Sequence, residues 1–351
     1  MVMKHLFLAT VFVSAAVYSL ASAHAVEYSV NKIWDTAPHS AFTDLAFLKG
    51  KFYCTFREGT AHIPGKTTGE GDGEIRVITS KDGVTWESVA LLKKKGYDLR
   101  DSKIAEMPDG RLMLTIGGSV YVDGQLTVQH PHVSFSDKNG DNFSEPQPII
   151  LAPAVRSERD WVWRVTWHKG TGYGVVYQTK NEQWAVVLLK TQDGVNYDLV
   201  QTFEIDFQPN EATVRFDAAD KMWILLRRDG GAKPGMMGTS ALPYTDWTWK
   251  ETGKRLGGPD FIFLPSGKML IGSRAYDNGI ATALYRLDEQ GQMVEIVRLP
   301  SGGDTSYPGF AIHKNTVWVS YYSSHEGKTA IYLAKFPLAE IEKAAAQTPA
   351  H

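Results

Sequence analysis

The chain has a single cysteine, Cys54, in 351 residues. An internal disulfide is excluded, and stability must come from a large core. No Pro/Gly-rich linker and no low-complexity tract interrupts it, so nothing in the sequence separates two domains. Beyond Leu20 no apolar stretch approaches the ~20 residues that cross a bilayer as a helix. Net charge is nearly absent, at −2 from 37 basic and 39 acidic side chains, which leaves no electrostatic footprint for nucleic acid or an anionic membrane. No spacing of histidine, cysteine and carboxylate matches a zinc site, and no phosphate-binding loop follows a strand and opens a helix. Neither a metal nor a cofactor is therefore expected.

What the chain does have is repetition. A tight turn between two apolar runs recurs six times, in LKGKFYCT at Gly50, PDGRLMLT at Gly110, HKGTGYGV at Gly170, AADKMWIL at Asp220, PSGKMLIG at Gly267 and HKNTVWVS at Asn315. The spacings of 60, 60, 50, 47 and 48 residues suit units of four strands. A second turn interleaves with the first, at Asp82 in SKDGVTW, Asp137 in FSDKNGDNF, Asp193 in TQDGVNY and Asp246 in YTDWTW. One turn would join the inner strands of a unit and the other its outer strands. This pattern predicts an all-β fold, a six-bladed β-propeller of four-stranded antiparallel blades. The segment from Tyr28 to Trp34 and the strand near Ala330 to Phe336 are expected to share a blade and close the ring, which removes sheet edges that would template aggregation.

Residues 1–25 read as a secretory signal: Lys4 and His5 precede an apolar run from Leu6 to Leu20, then the small-residue segment Ala21 to Ala25. A periplasmic or secreted monomer is expected, away from the membrane once the signal is cut. The propeller would occupy residues 26–337 and a short helical tail 338–351. Cys54, mid-strand, is expected to be a small core residue.

Counting from the inner turns gives positions that should ring one mouth of the channel. The return strands place Arg57, Arg227, Arg274 and Tyr322 there, and their partner strands Asp44, Asp101, Arg164, Glu211, Asp260 and Tyr307. Three arginines aimed at one another would repel unless an anion or carboxylates stood between them. The alternative is pairing within a blade, Arg227 with Glu211 and Arg274 with Asp260. A tyrosine beside a glutamate can yield its proton and act as nucleophile or base. His62, in the Gly-rich loop after Arg57, and Asp101 are candidate general acids, and His325 is a candidate substrate contact; His168 lies by the far turn and reads as structural.

The turns at Ser80, Asp82 and Trp86 and at Thr191, Asp193 and Tyr197 resemble the Asp-box (BNR) turns of the sialidase superfamily, each one residue shorter than usual. PNEATVRF, with Arg227 16 residues after its glutamate, and GDTSYPG resemble the sialidase nucleophile pair. The resemblance covers nearly the whole chain after residue 25, in blade order. It implies Tyr307 as nucleophile, Glu211 as its base, and Arg227 and Arg274 in a clamp for the substrate carboxylate. Where sialidases carry the Arg-Ile-Pro segment, this chain has Phe42-Thr43-Asp44-Leu45, and Arg57 is the candidate replacement for the missing arginine. The expected function is release of a terminal acidic sugar, sialic acid or a relative, from a glycan. The rivals are a polysaccharide lyase on uronate chains, with Tyr307 as base, and a glycan-binding propeller without catalysis.

Overall fold

The inner turns lie where expected, each reversing the first strand of a blade into the second. The computed structural model describes residues 26–63, 72–180 and 183–347; the signal expected at residues 1–25 lies outside them. Six antiparallel sheets of four strands stand in a ring, with inner strands His39–Leu48, Asp98–Glu106, Asp160–His168, Pro209–Phe216, Asp260–Phe263 and Thr305–His313 for blades 1 to 6. Blade 3 gains a fifth strand, Ile150–Leu151, parallel to its outermost strand. Ser29–Trp34 pairs antiparallel with Ala330–Pro337, so the start of the described chain forms the outer strand of blade 6 and closes the ring.

The interleaved turns at Asp82, Asp137, Asp193 and Asp246 join the two outer strands of blades 1 to 4. Two of them are built alike. Ser80 Oγ accepts the amide of Gly83 at 2.8 Å, while Asp82 Oδ1 accepts those of Val84 and Thr85; Thr191 and Asp193 repeat this at Gly194, Val195 and Asn196. Each side chain thereby satisfies amides that the turn leaves unpaired. Gly83 is required twice over, because its φ is 70° and a Cβ there would stand 2.3 Å from the Trp318 ring of blade 6.

The core lies between neighbouring sheets. Phe52, Cys54, Ile78, Trp318, Ile331 and Leu333 form one such layer across the seam of blades 1 and 6. At ~1.5–3 kcal/mol for each large side chain buried, such layers supply the stability that a disulfide would otherwise add. A helix, Leu338–Ala346, buries Ile341 and Ala345 in the layer between blades 5 and 6.

One irregularity recurs and sets up the site. Five inner strands lose register with their partners near the start: between Ala41 and Asp44, Arg100 and Lys103, Val162 and Val165, Pro209 and Ala212, and Ser306 and Gly309. Each is a β-bulge, which bends the strand and re-aims the side chains on it. The bulges carry Phe42, Asp101, Trp163, Glu211 and Tyr307, all at one end of the channel.

Candidate active site

Three bulge residues sit in left-handed backbone, Phe42 at φ 64°, Asp101 at 49° and Tyr307 at 54°. For non-glycine residues this costs on the order of 1 kcal/mol or more each, and it is tolerated where the surroundings over-determine it. Here the twist turns all three side chains toward a common centre.

Tyr307 Oη donates to Glu211 Oε1 at 2.5 Å. Arg227 Nη1 meets the same oxygen at 2.8 Å, and the Gly258 amide donates to Oε2 at 2.8 Å. Burial raises the Glu211 carboxyl's pKa, but the Arg227 charge and the hydrogen bonds from Tyr307, Arg227 and Gly258 outweigh it and hold the group below its usual range. Burial, with the charges of Glu211 and Asp101, holds the Tyr307 phenol well above its ordinary value against the pull of Arg227. The resting pair is thus a neutral phenol on a carboxylate, which can take the phenolic proton only as the oxygen bonds to something else. Arg227 is anchored in turn by Asp229, through Nε at 3.1 Å and Nη2 at 2.9 Å. Glu211, Arg227, Asp229, Tyr177 and Trp184 line a cleft of about 690 Å³, a volume suited to a sugar.

On the other flank Arg274 donates from Nε to the Thr305 carbonyl at 2.7 Å and from Nη2 to Tyr322 Oη at 3.2 Å. Tyr322 donates to Asp304 Oδ1 at 2.9 Å, and Asp304 Oδ2 faces His62 Nδ1 at 2.7 Å and His39 Nε2 at 3.0 Å. Burial raises the Asp304 carboxyl, but these hydrogen bonds and the His62 charge bring it well below its usual range. Phe42 stands among them, its ring centroid 5.0 Å from His62, 5.2 Å from Tyr307 and 5.3 Å from Tyr322. Arg100 lies 4.9 Å over the Phe42 ring and donates to the His62 carbonyl at 2.9 Å and to Tyr121 Oη at 3.3 Å. Beside it, Asp101 is 6 % exposed, and burial pushes its carboxyl up to about 6 despite Arg100 and Lys103. Its Oδ1 is buried without a hydrogen-bond partner among the described residues.

Tyr307, Glu211, Arg227, Arg274, Tyr322 and Asp101 therefore converge as the turn count places them, and His62, the candidate from the loop after Arg57, joins them. Arg227 pairs with Glu211 as the alternative allowed, whereas Arg274 does not reach Asp260. Five placements are corrected: Arg57, Asp44, Arg164, Asp260 and His325. Arg57 is fully buried, held bidentate by Asp98 at 2.9 and 2.6 Å and closed over by the Ala61 carbonyl and Asp72. The cause is register: the blade 1 turn is Lys49 and Gly50 alone, while that of blade 4 spans residues 217–221. Arg57 thus corresponds to Arg228, across from the residue before the bulge, and Arg227 to Phe56, across from the bulge itself. A slip of one turns a strand side chain to the opposite face.

Asp44, Arg164 and Asp260 lie beneath the mouth and not in it, because the bulges lift Phe42 and Tyr307 above them. Arg164 Nη1 meets Asp44 at 2.7 Å and Nη2 meets Asp260 at 3.2 Å, with Arg215 at 2.8 Å from Asp260's other oxygen. Lys103 completes this buried network, its Nζ 5.3 Å from the Tyr307 ring centroid. His325 hydrogen-bonds Ser323 at 2.9 Å and packs on Tyr332, with no hydrogen bond or ring contact to the cluster among the described residues. His168 stacks on Phe216 and meets Asp220, a structural role as expected.

Arg100, Asp304 and His39 escaped the sequence reading. Arg100 and Asp304 each lie beside a chosen residue or within the quoted GDTSYPG segment, but nothing in their spacing distinguishes them. His39 lies three residues before Phe42 and is brought in only by ring closure.

No family model matches the chain, and no curated protein sequence does. Solved structures share its fold. A protein of unknown function from Dyadobacter fermentans is similar over 88 % of this chain and 99 % of its own, at 19 % identity and a TM-score of 0.73. The Trypanosoma rangeli sialidase in complex with the inhibitor DANA is similar over 89 % of this chain at 12 % identity and a TM-score of 0.70; this chain spans 57 % of that one. The phage phi92 endosialidase is similar over 89 % of this chain and 69 % of its own, at 10 % identity and a TM-score of 0.64. The fold is a sialidase-like six-bladed β-propeller.

Proposed function

We propose that the chain is a secreted glycoside hydrolase that releases a terminal acidic sugar of the sialic acid type from glycans. The observation that carries this is the Tyr307–Glu211 pair, 2.5 Å apart at the channel mouth, with Arg227 on the same carboxylate. In this reading Tyr307 Oη attacks the anomeric carbon as its proton passes to Glu211, forming a glycosyl-tyrosine that water then cleaves. A neutral phenol suits a sugar that carries its own carboxylate, since a carboxylate nucleophile would be repelled. In this reading Arg274, whose Nη1 has no partner among the described residues, and the part-exposed Arg255, 3.7 Å from Asp229, hold the substrate's acid group. Trp184 and Tyr177 offer apolar walls to the sugar ring.

The test is product analysis by NMR on sialylated and uronic-acid glycans. Release of a free, saturated acidic sugar with its anomeric configuration retained is expected. An unsaturated product absorbing in the near ultraviolet would assign lyase chemistry, and binding without turnover a glycan-binding propeller; either overturns the reading.

A further inference from the structure

The nucleophile pair accounts for one half of a glycoside cleavage, and the other half needs a proton for the departing oxygen. That donor must stand where the rest of the glycan leaves, in contact with solvent. Asp101 does not meet this condition, since only 6 % of it is exposed and it lies among Arg100, Lys103 and Glu211. The His62 side chain is 46 % exposed, and the Phe42 ring packs against both it and Tyr307.

The surroundings of His62 are those of a base held by an orienting acid. Nδ1 faces Asp304 Oδ2 at 2.7 Å, while Nε2 has no partner among the described residues. Asp304 is itself fixed by His39 Nε2 at 3.0 Å and Tyr322 Oη at 2.9 Å, with Arg274 3.9 Å away. Arg100 pins the loop from the other side through the His62 carbonyl. The charged and titratable groups around the imidazole are thus Asp304, His39, Tyr322, Arg274, Arg100 and Asp101.

His39, His62 and Asp304 also bring their ligand atoms within 4.8 Å of one another, as a divalent cation would require. The second nitrogen of His39 decides against it. A histidine that binds metal through Nε2 carries its proton on Nδ1 and donates it to an acceptor. Nδ1 of His39 is buried with no such partner among the described residues, so a metal there would strand an N–H; donating Nε2–H to Asp304 leaves only a lone pair unmet.

We propose that His62 is the acid and base of this site and that Asp304 is its positioning residue. The assignment rests on the glycosidase reading above. In the first step the Nε2–H bond breaks and the proton goes to the glycosidic oxygen as its bond to the anomeric carbon breaks. Tyr307 Oη bonds to that carbon and its proton passes to Glu211. In the second, neutral His62 takes a proton from water, whose oxygen bonds to the anomeric carbon. Tyr307 leaves and recovers its proton from Glu211. The sum is hydrolysis.

The test compares 4-nitrophenyl and methyl α-glycosides of N-acetylneuraminic acid as substrates for His62→Gln, Asp304→Asn and Tyr307→Phe. A nitrophenolate leaves without a proton, whereas a methoxide does not. His62→Gln is expected to lose about 10²-fold or more in kcat on the methyl glycoside and under about tenfold on the aryl one. Asp304→Asn is expected to lower kcat on the methyl glycoside by more than on the aryl one with KM little changed, because the imidazole loses the carboxylate that orients it. Tyr307→Phe should be impaired on both. If His62→Gln lost equally on the two substrates, or kept its rate on both while Tyr307→Phe was dead, the assignment of His62 would be overturned and the hydrolase reading kept. Wild-type protein inert on both, or Tyr307→Phe active on both, would overturn the hydrolase reading and this assignment with it. Stoichiometric Zn²⁺ binding that disappears in His62→Gln would overturn it in favour of a metal site.

Discussion

Gly258 lies flat against the ring of Tyr307. A Cβ at this position would stand 2.5 Å from Cδ2 of the tyrosine, and the φ of 60° is itself one that only glycine adopts at no cost. The same residue donates its amide to Glu211, so one glycine sets both partners of the Tyr307–Glu211 pair. Gly258→Ala is expected to push the ring off Glu211 and to lower kcat by about 10²-fold, with a loss of roughly 1–3 kcal/mol in stability. Activity assays beside thermal melts check this; an alanine variant of normal rate would mean that Tyr307 needs no fixed place.

Tyr307→Phe removes one oxygen and leaves the packing on Phe42 and Trp163 in place. Turnover should fall ~10³-fold or more while the fold and ligand affinity persist. Isothermal titration with an acidic sugar and single-turnover kinetics separate the two; a variant with most of its rate would make the tyrosine a packing residue.

The two arginines that the turn count treated alike should behave oppositely. Arg57→Ala leaves Asp98 buried without its bidentate partner, a change expected to cost ~3–5 kcal/mol in stability and nothing in the KM of the folded fraction. Arg274→Ala should lower affinity for an acidic sugar by about tenfold to a hundredfold with little change in Tm. An Arg57 variant that melted normally but bound poorly would restore it to the site.

Asp101 gives stability a pH dependence of definite sign. Burial raises its folded-state pKa from 3.8 to about 6, so the protonated form is the one the fold prefers. The associated stability is full below pH ~4 and is lost as pH rises through about 6, to the extent of about 3 kcal/mol. Asp101→Asn cannot ionise and escapes that loss. Its Tm relative to wild type should therefore rise between pH 4 and pH 8. A difference that stayed constant across that range would show that Asp101 titrates like a solvated acid.

Much of the fold was legible because it is periodic. Turn residues such as Gly110 and Gly267 repeat at near-constant spacing, and a repeat that cannot bury its own faces must stack. The pairing of Glu211 with Tyr307 was legible for the same reason, since the two begin corresponding strands. What periodicity could not convey is where it breaks. The bulges that lift Tyr307 above Asp44 and Arg164, and the longer turn that sets Arg227 against Phe56 and not Arg57, leave little trace in composition. Contacts such as His39 to Asp304, 265 positions apart, exist only once the ring is shut.

Ring closure has a consequence for when the candidate site can exist. Glu211 belongs to blade 4, Arg274 to blade 5, Asp304 and Tyr307 to blade 6, and His62 follows the second strand of blade 1; the seam between Ser29–Trp34 and Ala330–Pro337 brings the last blade against the first. A chain still emerging from the ribosome or a translocation pore holds none of these distances. Nor does a fragment released by cleavage between blades. The cluster is complete only with the final strand, so a molecule that carries it is by construction a finished one.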